Sequence, residues 1–118
     1  LERNRSLYMK TTKKESYLLV ENENDSLTEF SSELTKHHHN IVDENVVVDL
    51  IQFKNINTKD LLGFLEISNL HKTKKKSFVL INDAVGIDEL PDELIVVPTL
   101  QEAEDMIQMD EIQRDLGF

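Results

Sequence analysis

A threonine in the loop after a predicted buried strand is the residue best suited to regulated chemistry. Residues 46–50 read Val-Val-Val-Asp-Leu, an apolar run typical of a strand covered on both faces, and the leucine spacing beyond residue 60 predicts a helix that begins at Asn57 or Thr58. The loop between them lies at the carboxyl end of the strand, where open α/β sheets usually place their functional residues. Thr58 is therefore a candidate phosphate acceptor.

Two interpretations of Thr58 fit this position. A phosphate at a helix N-terminus meets unpaired N–H groups and the positive end of the helix dipole, although Asp60 would repel the added charge. The simpler interpretation is an N-cap, in which the side chain of Thr58 or Asn57 accepts a backbone hydrogen bond. We expect the cap and retain the phosphorylation switch as a hypothesis.

Two acidic residues after the next predicted strand form a second candidate site. Asp83 and Asp88 flank Gly86, again at a carboxyl end. Two loop carboxylates could serve acid–base chemistry, but the sequence offers no nucleophile or glycine-rich phosphate loop beside them, so they are interpreted as turn residues. This loop and the helix start together define a predicted partner-binding surface: Asn57, Lys59, Asp60, Leu61, Asp83, Gly86 and Ile87.

Three consecutive histidines, His37 to His39, raise the possibility of a metal site. Successive helical residues point about 100 degrees apart and cannot converge on one ion, so a site would need His71 or a carboxylate from elsewhere. The spacings H-x-x-x-H and H-E-x-x-H do not occur. We therefore expect neither a metal nor another cofactor, with one histidine packed and two solvated at a helix C-terminus.

Composition limits the classes of partner. The chain has 118 residues, of which 39% are hydrophobic, enough for one core. Its net charge is −10, and residues 88–118 carry ten Asp or Glu and one Arg. Such a surface repels phosphate backbones, so no nucleic-acid binding is predicted, and the lysine cluster at residues 72–76 is interpreted as a solvated turn.

The sequence also suggests a compartment and a domain boundary. It has no cysteine, no apolar run as long as a membrane span and no signal-peptide core, so we expect a soluble cytoplasmic protein without membrane contact. Residues 1–8 precede Met9 and resemble a vector-derived or disordered leader. The predicted domain is therefore a single one over residues 9–118.

The remaining patterns predict strands alternating with helices. A hairpin is predicted over residues 10–21, and further strands over residues 77–82 and 94–97. Capping boxes that begin at Ser26 and Thr99 open a helix ending near Asn40 and a last helix closed by Gly117, and a helix over residues 57–70 lies between them. A short acidic helix or turn is expected around Pro91. The pattern predicts an α/β fold with a mostly parallel sheet of four to five strands.

Apolar spacing also predicts which helix faces are buried. The predicted inward face of the first helix consists of Leu27, Phe30 and Leu34 with His37 or His38. In the second, Leu61 and Leu65 should be joined by either Phe64 or Leu62. The predicted stripe of the last helix consists of Leu100, Ala103, Met106 or Ile107, Met109, Ile112 and Leu116.

This order of elements resembles the STAS domain, the fold of the bacterial anti-anti-sigma factors and of the cytoplasmic tails of sulfate transporters. In that family a V-V-x-D-L strand is followed by a loop that ends in D-S-S-G, and a partner kinase phosphorylates the first serine. Val48, Asp49 and Leu50 lie in the matching strand, and the same separation places residues 57–60, Asn-Thr-Lys-Asp, on the D-S-S-G positions. The resemblance implies that Thr58 is the phosphate acceptor, while the other three positions differ from the motif.

The C-terminal stretch resembles a group of small bacterial STAS-like proteins, some of which carry a ribonuclease Z label. That activity needs the H-x-H-x-D-H cluster of a metallo-β-lactamase fold, which this sequence lacks. We predict a non-enzymatic regulatory module that binds a protein partner. A small enzyme, or an accessory subunit of one, that uses the same strand-end cleft is the alternative, and a homodimer joined through Met106, Met109 and Ile112 is a third possibility.

Overall fold

The computed structural model describes residues 9–22, 26–84 and 90–117. Its five strands form one sheet in chain order: β1 (Met9–Lys13), β2 (Leu18–Asn22), β3 (Val46–Asp49), β4 (Phe78–Ile81) and β5 (Ile95–Val97). β1 pairs antiparallel with β2, and every other neighbouring pair is parallel. The predicted α/β class and the parallel pairing of the three apolar strands are therefore confirmed.

Within the described residues, four α-helices cover the two faces of this sheet: α1 (Leu27–Lys36), α2 (Thr58–Leu62), α3 (Leu65–Thr73) and α4 (Leu100–Asp115). Because strand side chains alternate between faces, Val46 and Val48 point toward α1, α2 and α3, whereas Val47 points toward α4. The first face contains most of the buried apolar side chains, including Phe30 and Phe64. The core is therefore concentrated under α1, α2 and α3.

The predicted continuous helix over residues 57–70 is wrong, because the chain turns tightly at Gly63 and Phe64 between α2 and α3. There the Gly63 and Phe64 N–H groups donate three residues back, to Asp60 O at 3.3 Å and Leu61 O at 3.0 Å. The turn places Phe64 in the core, where its ring meets Phe30 edge-on at 6.0 Å. Phe64 is thus the inward residue, and Leu62 is exposed.

The first helix is shorter than predicted. Ser26 is its N-cap, accepting from the Glu29 N–H at 3.2 Å as expected, but α1 ends at Lys36 and a 3₁₀ turn (His38–Asn40) follows. The tighter turn rotates the histidines off the helical spacing, so that His38 is buried and His39 exposed.

The apolar stripe predicted for the last helix is only partly correct. Thr99 is the N-cap as predicted, and Gly117 adopts a positive φ of 87° beyond the helix, as suits a glycine cap. Of the predicted stripe, Ala103 and Ile107 are buried and Met106 packs partly against them. Leu100, at the start of the helix, is exposed, and so are Met109, Ile112 and Leu116, which lie on the side opposite Ala103 and Ile107. Toward the C-terminus the sheet-facing side is occupied by polar side chains.

Candidate interaction site

The loop between β3 and α2 folds against the end of its own strand. The Asp49 carboxylate accepts a hydrogen bond from the Ile51 N–H at 3.0 Å, and the Phe53 N–H donates to Leu50 O at 3.0 Å. A carboxylate that bonds a backbone N–H two residues further on forms an Asx turn. The aspartate of the V-V-D-L stretch therefore shapes the first part of the loop.

A buried asparagine from the neighbouring strand fixes the rest of this loop. The Asn82 side chain donates to Leu50 O at 2.9 Å and to Phe53 O at 3.0 Å, and its Oδ1 accepts from the Ala84 N–H at 2.8 Å. Asn82 is only 3% exposed. Sequence reasoning missed this residue, although a polar residue directly after an apolar strand was a usable signal.

The helix that follows is capped by Asn57 and not by Thr58. The Asn57 Oδ1 accepts from the Asp60 N–H at 2.9 Å, and Asp60 Oδ2 accepts in return from the Asn57 N–H at 3.2 Å. This reciprocal capping box needs an acidic or amide residue three positions after the cap. With Thr58 as cap that position would be Leu61, whose side chain cannot accept a hydrogen bond. Of the two residues predicted as possible caps, Asn57 is therefore confirmed and Thr58 is wrong.

One residue of the predicted partner surface is inaccessible. Leu61 is 0% exposed and packs in the core beneath α2. A helix of five residues has a single inward face, and Leu61 occupies it. Its assignment to partner binding is therefore wrong.

The other described members of the predicted surface lie at the carboxyl edge of the sheet. Asn57, Lys59 and Asp60 are exposed, and Thr58 is half-buried as the first residue of α2. Asp83 is exposed and lies 3.6 Å from Lys54, which links the end of β4 to the β3–α2 loop. Gly86, Ile87 and Asp88 lie outside the described residues.

A shallow crevice of about 250 Å³ adjoins the loop. It is lined by Leu27 and Thr28 at the start of α1 and by Phe53, Asn55, Ile56 and Asp60 on the other side. Its one carboxylate, Asp60, already accepts the cap hydrogen bond, and its one hydroxyl belongs to Thr28. The crevice thus presents polar groups for contact without a paired nucleophile and base among these lining residues.

Two of the histidines form a buried pair. His38 Nε2 lies 2.9 Å from His71 Nδ1, and His71 Nε2 lies 2.6 Å from Glu44 O. A carbonyl oxygen only accepts, so His71 carries its proton on Nε2, and His38 then donates from Nε2 to the unprotonated Nδ1. Burial lowers the pKa of both rings, that of His71 to about 4. The pair is therefore neutral at physiological pH.

The prediction for the three consecutive histidines, one packed and two solvated, is only partly correct. His38 is packed and His39 solvated, but the half-buried His37 lies 3.0 Å from the Glu33 carboxylate. Among the residues that the structure describes, no group of three or more histidine and acidic side chains is placed to hold a metal ion.

The opposite, amino edge of the sheet holds a polar network that sequence reasoning missed. Asn45, which directly precedes β3, donates to Ser16 O at 3.1 Å and to Glu111 Oε2 at 2.8 Å. Its Oδ1 accepts from the Ser77 N–H at 2.9 Å and from Arg114 at 3.3 Å. Asn45 thus joins the β1–β2 turn, the start of β4 and the C-terminal half of α4.

Two further contacts extend this network along α4. Ser77 Oγ donates to Asp110 at 2.7 Å, and the Tyr17 hydroxyl donates to Glu104 at 2.6 Å. Burial, assisted by the Glu104 carboxylate, raises the pKa of Tyr17 to about 12. The sheet-facing side of α4 is therefore held by charged hydrogen bonds as well as by apolar packing.

The lysine cluster is less uniformly solvated than predicted. Lys74 and Lys75 are exposed, but Lys72 and Lys76 are half-buried, and Lys72 donates to Glu93 O. Burial lowers the pKa of Lys72, opposed by the nearby Asp110 and Glu93 carboxylates.

Among the described helices, none has both the length and the apolar character needed to cross a membrane.

Comparison with known proteins leaves the family open. No protein-family model matches the chain, and none of the curated proteins matches it.

Proposed function

We propose that this protein is a non-enzymatic, protein-binding regulatory module of the STAS type, with its partner surface at the carboxyl edge of the sheet and Thr58 as its switch. The surface comprises the exposed or half-exposed residues Asn57, Thr58, Lys59, Asp60 and Asp83. The element order and the mostly parallel sheet are compatible with the STAS resemblance and support the proposal. The family match itself is part of what is proposed.

The observation that carries the proposal is the fixed shape of the β3–α2 loop. Asn82 holds the loop backbone through Leu50 and Phe53, and the Asn57–Asp60 capping box holds its end. A surface that is already ordered loses little conformational entropy when a partner binds. Such preorganisation suits a recognition surface at the strand ends.

Phosphorylation of Thr58 would act directly on this surface. A partner kinase would transfer the γ-phosphoryl group of ATP to the Thr58 hydroxyl oxygen, releasing ADP while a base of the kinase takes the hydroxyl proton. The product carries close to two added negative charges at the first residue of α2. The phosphate and the Asp60 carboxylate would then compete for the same helix N-terminus, where Asp60 now accepts from the Asn57 N–H. The modification would place charge in the interface, directly beside the Asp60 carboxylate.

The test first uses this protein to capture its partner from native cells, and mass spectrometry identifies that partner. The affinities of two charge-substituted variants for the captured partner are then compared. Thr58→Asp should retain its thermal stability and bind the captured partner roughly tenfold or more weakly, a loss of about 1 to 3 kcal/mol. The control is Thr73→Asp, an exposed threonine at the end of α3, which should bind as the native chain does. Unchanged affinity of Thr58→Asp, with no phosphothreonine in protein from native cells, would eliminate the switch.

A capping test separates the structural residue from the regulatory one. Asn57→Ala should cost about 1 kcal/mol of unfolding free energy, because it removes the side-chain oxygen of the capping box. Thr58→Ala should cost less than about half of that, since Thr58 lies after the cap. Denaturant unfolding of both variants measures the difference, and a larger loss for Thr58→Ala would show that the threonine has a structural role instead.

A further inference from the structure

Helix α4 carries an exposed apolar stripe on the side that faces away from the sheet. Met109, Ile112 and Leu116 are 54%, 53% and 67% exposed. Their spacing of three and four residues places them on one face of the helix over two turns, a length of about 10 Å. Single exposed apolar residues are ordinary, but a helical stripe of three marks an interaction surface.

The exposed charged side chains of α4 around this stripe are all acidic, and the neutral Gln108 and Gln113 flank it. The exposed charged residues of α4 are Glu102, Asp105 and Asp115. The one basic residue of the helix, Arg114, is turned away, because its guanidinium lies 3.3 Å from Asn45 Oδ1 and 3.4 Å from Ser77 Oγ at the sheet edge. The solvent side of α4 therefore combines an apolar centre with a rim of neutral glutamines and exposed carboxylates, in which every charged side chain that α4 exposes is negative.

That charge pattern selects among occupants. A second copy of this chain that paired through the same stripe would bring two such negative rims together, and like charges in an interface are destabilising. A partner with basic residues beside its apolar ones would instead pair with Glu102, Asp105 and Asp115. The three-and-four spacing of the stripe matches the ridge of apolar residues that an amphipathic helix presents.

We propose that the outer face of α4, centred on Met109, Ile112 and Leu116, is a docking surface for a basic amphipathic helix of a partner polypeptide. This surface lies across the sheet from Thr58 and α2, since α4 covers the opposite face. It therefore stands independently of the surface proposed for the carboxyl edge. The polar network of Tyr17, Asn45 and Ser77 holds α4 in place from its other side.

The test uses a synthetic fluorescent peptide of about 18 residues, with leucines at helical three-and-four spacing and lysines elsewhere. Binding to the full chain is measured by fluorescence anisotropy at two salt concentrations. A scrambled peptide of identical composition measures attraction due to charge alone. The double variant I112S/L116S should bind the amphipathic peptide at least roughly tenfold more weakly, because the apolar centre is removed while the acidic rim remains.

A matched control variant removes an exposed leucine elsewhere. Leu70 is 43% exposed on α3, and Leu70→Ser should bind the peptide as the native chain does. The native chain should bind the amphipathic peptide more tightly than the scrambled one, and this binding should weaken at the higher salt concentration. Equal binding of the two peptides, or equal losses in I112S/L116S and Leu70→Ser, would overturn the proposal.

Sedimentation without peptide tests the competing occupant. The native chain should remain monomeric as its concentration rises. A dimer that disappears in I112S/L116S would show that a second copy of the chain occupies the stripe, and the proposed basic partner would then be wrong.

Discussion

The two ends of the parallel strands are each organised by one buried asparagine, but the two residues bind different kinds of partner. At the carboxyl edge, the partners of the Asn82 side chain among the described residues are backbone groups of nearby loops. At the amino edge, Asn45 bonds two backbone groups and also the charged side chains of Glu111 and Arg114 on α4. One asparagine shapes a loop, whereas the other attaches a helix.

This difference assigns separate tasks to the two edges. The loop that Asn82 holds carries the proposed partner surface. Removing the Asn82 side chain should therefore alter the local order of this loop more than the attachment of any helix. The network around Asn45 spans the β1–β2 turn, β4 and α4. Removing the Asn45 side chain should therefore loosen the whole of α4. Substitutions at the two edges can test this division.

The largest expected effect is that of Asn45→Ala. It removes four hydrogen bonds and leaves the Ser77 N–H and the Glu111 carboxylate without their asparagine partner, which should cost about 3 kcal/mol of unfolding free energy. Asn82→Ala should cost about 2 kcal/mol, because its neighbours are neutral backbone groups. Denaturant unfolding measures both values, and Asn69→Ala, an exposed position on α3, serves as control.

Amide hydrogen exchange on the same variants tests where the loss occurs. Asn45→Ala should reduce protection along α4, whereas Asn82→Ala should reduce it in the β3–α2 loop. Identical exchange patterns in the two variants would contradict the division of tasks between the edges.

The sequence predicts the sheet well because strand signals are local. The runs around Val47 and Val79 are continuous and apolar, and both became parallel central strands. The stripe of α4 was mispredicted because its members do not share one face of the helix. At about 100° per residue, Ala103 and Ile107 lie on one side, whereas Met109, Ile112 and Leu116 lie on the opposite side. Asp110 pairs with Ser77 and Arg114 with Asn45, and both partners are buried and distant in sequence. These pairings decided which side of α4 meets the sheet.

The second prediction concerns pH and the buried pair at the amino end of β3. The folded-state pKa of His71, about 4, lies below its ordinary value near 6.5, so the unfolded chain binds more protons between these values. Stability is therefore complete above about pH 6.5 and falls as pH decreases toward 4, by on the order of 2 to 3 kcal/mol. Unfolding free energies measured at pH 7 and pH 4.5 check the expected loss.

Histidine substitutions isolate this contribution from that of the many carboxylates. His71→Gln should lessen the loss between the two pH values, and His38→Gln provides a second variant if the first does not fold. His39→Gln, at an exposed position, should keep the native pH dependence. An unchanged loss in both the 38 and the 71 variants would mean that other groups cause it.

The third prediction measures one contact between α4 and the sheet. Tyr17→Phe and Glu104→Gln, combined in a double-mutant cycle, should give a coupling energy of about 1 kcal/mol, since the Tyr17 hydroxyl donates to a carboxylate in a partly buried site. The exposed pair Gln101 and Asp105, 3.2 Å apart on the same helix, should show coupling below about 0.5 kcal/mol. Equal coupling in the two cycles would remove Tyr17 from the contacts that hold α4.

The candidate site shows a similar limit of sequence reasoning. The leucine spacing predicted a helix that begins at Asn57 or Thr58, and in the structure Asn57 is the N-cap and Thr58 the first helical residue. The choice between Asn57 and Thr58 as cap depended on Asp60 three positions later, a local signal that sequence reasoning could have used. The apolar spacing correctly predicted that Leu61 turns inward, but not the break at Gly63, where Phe64 packs against Phe30 from outside the segment.

The smallest expected effect compares the two edges of the sheet, where the buried asparagine side chains are hydrogen-bonded, with the interior between them. Ser68 lies on the buried side of α3, and its Oγ has no hydrogen-bond partner among the described residues, unlike the side chains of Asn45 and Asn82. Ser68→Ala removes this unsatisfied hydroxyl and improves helix propensity, so it should stabilise the fold by about 0.5 to 1 kcal/mol. The control Ser32→Ala, exposed on α1, measures the propensity gain alone, which should be smaller. Thermal unfolding of both variants makes the comparison. A net destabilisation by Ser68→Ala would instead indicate that a buried water or another group satisfies the hydroxyl, and the interior would then follow the same rule as the edges.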